Sequence, residues 1–70
     1  MRASDAVLHA LAKQGRTQRS FAQALGITPQ ALDNRLNAKS MRVDTLCEMA
    51  RELGCKVVIE GDGERFEIEG

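Results

Sequence analysis

Seventy residues, 43% hydrophobic and 29% charged, suit one small soluble domain and are too few for two. No apolar run approaches the roughly 20 residues of a membrane span, no signal-peptide pattern opens the chain, and a cytoplasmic protein is expected. Formal net charge is zero, but between Lys13 and Arg42 six bases meet Asp33 alone (net +5), and from Asp44 onward eight acids meet three bases (net −5), which points to a basic working face.

Ser4 and Asp5 read as the start of a first helix, with Val7, Leu8 and Leu11 at helical spacing and Gly15 as its stop. His9 lies off the apolar stripe and is expected in solvent. Thr17 is the expected N-cap of a second helix, Gln18 to Leu25, which Gly26 ends. Thr28 and Pro29 restart the chain as cap and first helical residue, giving a third helix to about Asn37 with Leu32 and Leu36 on its buried side. Residues 38–42 form a polar loop. Val43, Leu46, Met49, Ala50 and Leu53 then repeat with a 3-4 rhythm over a fourth helix ending at Gly54, with no evident N-cap.

Beyond Gly54 the pattern changes to that of two strands, residues 56–60 and 65–69, joined through Asp62-Gly63, a pair suited to a two-residue turn. That register sets Val57 opposite Ile68 and Ile59 opposite Phe66 on an apolar face. The other face pairs Glu60 with Arg65, Val58 with Glu67 and Lys56 with Glu69. An isolated hairpin is marginal in water. Its apolar residues Val57, Ile59, Phe66 and Ile68 must be covered, either by the first and fourth helices or across a two-fold axis, and a homodimer is favoured.

Cys47 and Cys55 belong to no C-x-x-C pair, and are expected as buried or half-buried free thiols rather than metal ligands. A single histidine, no Ser/His/Asp set and no glycine-rich phosphate loop argue against an enzyme. No cofactor or metal is expected. Phe21 and Phe66 are the only aromatics, too few for a platform that stacks single-stranded nucleic acid.

The second and third helices flank a very short turn, with small Ala22 where they would cross. The third would then present its outer side to a groove of double-stranded DNA. Gln30 and Asn34, one turn apart, carry amides that can bond both adenine N6 and N7, and Thr28 can meet a thymine methyl or a phosphate. Arg16, Gln18, Arg19, Arg35, Lys39, Ser40 and Arg42 are the candidate phosphate ligands. Asp33 opposes the pattern, since an acid repels phosphate.

The segment from Gln18 to Leu36, with Ala22, Gly26 and Ile27 at the spacing Ala-x-x-x-Gly-Ile, resembles the Cro/repressor-type (XRE-like) helix-turn-helix regulators. Thr45, Leu46, Ala50, Leu53 and Gly54 look like the helix that follows in such domains. The resemblance implies a four-helix, lambda-repressor-like domain over 1–54; with the hairpin over 55–70, where such domains often add a fifth helix for dimerisation, the expected fold is mainly α with a small β element. It also implies that Gln18 meets phosphate while Thr28, Gln30 and Asn34 face DNA. Arg35 stands where many members carry an apolar residue, and Leu36 takes over the anchoring, so either Asn34 or Arg35 reaches the bases. The function implied is a dimeric DNA-binding transcriptional regulator, most simply a repressor. The alternative is a protein-interaction module such as the antitoxin of a toxin–antitoxin pair, with a protein partner and DNA binding secondary.

Overall fold

The computed structural model describes residues 1–70. They form α1 (Ala3–Lys13), α2 (Gln18–Leu25), α3 (Pro29–Asn37), α4 (Val43–Glu52), β1 (Val57–Gly61) and β2 (Glu64–Ile68). The expected class, four helices and a terminal antiparallel hairpin, is what the chain adopts. No helix is long and apolar enough to cross a membrane.

The helix starts differ in how they are capped. α2 opens on a reciprocal pair: Thr17 Oγ1 accepts the Ser20 N–H at 3.0 Å, and Ser20 Oγ accepts the Thr17 N–H at 3.2 Å. Thr28 Oγ1 accepts the Ala31 N–H at 3.1 Å, with Pro29 at the first helical position. The first helix starts earlier than expected, at Ala3 rather than Ser4. Its cap residue, Arg2, has no side-chain acceptor, so Asp5 reaches back to the Arg2 N–H at 3.4 Å. Arg42 likewise caps α4 without a side-chain bond, and Asp44 supplies the favourable negative charge in its first turn.

The core gathers Val7 and Leu11 from α1, Phe21 and Ala22 from α2, Leu32 and Leu36 from α3, and Met49 and Leu53 from the end of α4. Burial of each large member stabilises the fold by about 1.5–3 kcal/mol. Ala22 and Leu32 have no exposed surface, and α2 and α3 are the most closely packed helix pair. A larger residue at position 22 would push them apart. Between them, Gly26 adopts φ 74°, ψ 26°, a left-handed conformation that costs other L-residues about 1–2 kcal/mol. The Ile27 N–H then returns to the Ala22 carbonyl at 3.0 Å, closing the turn.

The corner between α1 and α2 is locked to the far end of α4. Gln14 Nε2 donates to the Leu53 carbonyl at 2.7 Å, and Arg16 donates to the Glu52 carbonyl at 3.3 Å and to Glu52 Oε1 at 3.4 Å. These donors satisfy carbonyls that the last turn of a helix leaves unpaired. The Arg16 guanidinium also lies 5.4 Å from the centre of the Phe21 ring, within cation–π range.

The hairpin has the expected register, Val57 opposite Ile68 and Ile59 opposite Phe66. Asp62 and Gly63 both take positive φ (51° and 75°), as a two-residue hairpin turn of type I′ demands. Two expectations, the Lys56–Glu69 pair and the burial of Cys55, are corrected. Lys56 lies outside β1 and bonds Glu67 Oε1 at 2.8 Å rather than pairing with Glu69, because a long flexible side chain reaches the diagonal neighbour. Its donated hydrogen bond and positive charge hold the Glu67 carboxyl below the usual glutamate range. Within one subunit the helices cover the apolar face only at its base, where Val57 and Ile68 are half-buried, and Ile59 and Phe66 are exposed. Cys47 is buried in α4, but Cys55, just past the helix end, is exposed; both are free thiols.

Candidate nucleic-acid interface

Leu32 and Leu36 fix the rotation of α3. With both turned into the core, Thr28, Gln30, Asp33, Asn34 and Asn37 are left exposed, and Arg35 is half-buried at the margin. Leu36 is therefore the second anchor, as expected from the residue exchange at position 35. Gln30 Nε2 donates to Asn34 Oδ1 at 3.3 Å, so the two amides form one ladder along the exposed side. The bond leaves the Gln30 carbonyl oxygen and the Asn34 amino group unused by each other. Together they still offer an acceptor and a donor outward.

The Thr28 hydroxyl is committed as an acceptor to the Ala31 N–H, while its residue stays exposed at the start of α3. The two caps consume the N–H groups of Ser20 and Ala31. Those of Gln18 and Arg19 on α2, and of Gln30 on α3, project from the helix starts without an intrahelical acceptor. Such N–H groups at the positive ends of two adjacent helices suit phosphate.

The candidate cations fall into three groups. Arg19 and Lys39 are exposed and make no ion pair. Arg35 and Arg42 converge with Asn34, Ser40 and Thr45 around a cleft of about 380 Å³ beyond the last turn of α3. Arg42 is partly held there by Asp44 Oδ1 at 3.3 Å, at a site open to water where such a pair contributes little. Arg16 stands apart. Its donors are taken up by Glu52 and its face covers Phe21, so the structure does not bring it to the α3 surface with the others.

Asp33 lines a different cleft, shared with Ser4, Asp5, Gln18 and Asn37. Asp33 does not line the cleft that Arg35 and Arg42 share, and the cation beside its own cleft is Arg2.

One residue of the site has no sequence signal. Arg2 lies 36 positions before the loop it holds: its Nη2 donates to the Ala38 carbonyl at 3.4 Å and to the Lys39 carbonyl at 3.2 Å. The loop carrying Lys39, Ser40 and Arg42 is thereby tied to the start of α1. Net-charge arithmetic cancels Arg2 against Asp5, and only the tertiary contact reveals its position.

A family model described as helix-turn-helix matches residues 8–59, more than half of the chain. No curated protein and no solved structure matches it. The matched stretch runs from α1 into β1, and includes the short α2–α3 turn and all of the exposed amide ladder.

Proposed function

The chain belongs to the XRE-type helix-turn-helix family of DNA-binding regulators, and from that membership we propose that it is a sequence-specific, homodimeric transcriptional repressor. In this reading α3 enters the major groove, with Thr28, Gln30 and Asn34 toward the bases. Gln18, Arg19, Arg35, Lys39, Ser40 and Arg42 meet the phosphates on either side. Residues 1–54 carry DNA binding, and 55–70 carry dimerisation as part of the same domain. The protein acts by occupying a pseudo-palindromic operator with half-sites about one helical turn apart. No catalysis is involved.

The observation that carries this reading is the paired, solvent-facing Gln30 and Asn34 on a helix whose two leucines leave it no other rotation. The half-buried Arg35, beside Ser40 and Arg42, supports a backbone role for it and a base-reading role for Asn34. Arg16 is assigned to the corner that it braces.

A second reading, a protein-interaction module such as an antitoxin, draws support from the exposed Ile59 and Phe66. Footprinting the purified chain on DNA upstream of its own gene tests both. Two protected half-sites about one turn apart support the repressor. Protection only when a second protein co-purifies supports the alternative, and no protection at low salt contradicts the repressor.

A further inference from the structure

The apolar face of the hairpin outruns the helices that cover its base. Ile59 and Phe66, paired across the strands near the turn, are 62% and 56% exposed. On the helical body, α1, α4 and the start of β1 enclose a groove of about 280 Å³, walled by Ala6, Ala10, Leu46, Leu53 and Val57, with Lys56 its only polar lining. The alanines make it deep enough for a side chain. The knob cannot fill its own subunit's groove. Ile59 lies two residues beyond Val57 on the same side of a straight strand, about 7 Å further from the helices.

The exposed surface is large for the mass of the chain. The chain exposes 5144 Å², whereas a compact monomer of its mass exposes about 4,300 Å². The surplus of about 800 Å² equals one partner's share of a standard-size interface. Charge agrees with shape: Glu64 shares the knob's face, Glu60 and Arg65 oppose each other on the other face, and Lys56 at the groove, although bonded to its own Glu67, is a cation.

We infer that the groove between α1, α4 and β1 receives the Ile59–Phe66 knob of a second copy of this chain. Two such contacts, related by a two-fold axis, hold the dimer. The contact is isologous, each subunit giving one knob and one socket, so it closes at two subunits. It differs from pairing of strand edges into a continuous sheet, which would leave the α1 wall of the groove uncovered. The inference rests on the proposed dimer and specifies its surfaces.

Sedimentation equilibrium on the full chain tests it, using Ala6→Arg in the socket and Phe66→Ser in the knob. Both positions are exposed, and circular dichroism checks that each monomer keeps its helices. Each variant is expected to raise the dimer dissociation constant at least tenfold. An equimolar mixture should regain dimer, because one intact knob then meets one intact socket. If Phe66→Ser breaks the dimer and Ala6→Arg does not, the dimer stands but this docking is wrong. A mixture that stays monomeric also overturns the docking. A parent chain that remains monomeric at millimolar concentration overturns docking and dimer together.

Discussion

Gln30 and Asn34 are a pair in the free protein. Their mutual hydrogen bond at 3.3 Å orients both amides along the exposed side of α3, which lessens the rotamer freedom lost on binding. Gln30→Ala is expected to remove one base contact and to free the Asn34 amide. Operator affinity should fall by about 1–3 kcal/mol while affinity for scrambled DNA hardly changes, as fluorescence anisotropy would record. Lys39 and Arg2 separate contact from positioning. Lys39→Ala should weaken all sequences alike and lower the salt slope by about one. Arg2→Gln removes the two bonds to the loop carbonyls, so affinity should fall while the salt slope stays as in the parent. A slope lowered by Arg2→Gln would place that guanidinium on a phosphate instead.

The elements were legible wherever a local rule sufficed. Thr17, Thr28, Pro29 and Gly26 punctuate α2 and α3 because caps and left-handed turns depend on one or two residues each. The hairpin register followed from side-chain alternation together with Asp62-Gly63. What local rules missed lay between elements. Arg16 looks like any basic loop residue until Glu52, 36 positions later, comes within 3.4 Å of it. Lys56 reached Glu67 because register fixes Cα partners and not the ends of long side chains. The first helix began early because a carboxylate inside it supplied the cap. At the turn, Gly26→Ala should cost about 1–2 kcal/mol through its positive φ. Thermal unfolding should shift by several degrees, since about 1 kcal/mol moves the midpoint 4–8 °C in a domain of this size. In the hairpin, the bond from Lys56 lowers the Glu67 pKa, so its stabilisation is present above the ordinary glutamate range and is lost as pH falls through the lowered value. Chemical shifts of the strand amides should follow that titration, and Lys56→Gln should move it back up.

At the scale of the molecule, the charge asymmetry of the sequence becomes a direction. The free cations Arg19 and Lys39 flank α3, and the acids Glu60, Asp62, Glu64 and Glu67 lie on the hairpin that projects from α4. A dimer joined through its acidic hairpins keeps those carboxylates off the DNA and leaves two copies of α3 to address successive major grooves. The extents of one chain, 39 × 25 × 20 Å, are compatible with half-sites about 34 Å apart. On the proposed reading, the bare, amide-bearing side of α3 selects the sequence bound. Base-by-base substitution across one operator half-site, with binding measured for the parent and for Gln30→Ala at one salt concentration, tests it most directly. One A·T pair is expected to lose about 1–3 kcal/mol of discrimination in the variant while the other positions keep theirs. An unchanged preference at every base pair would contradict it.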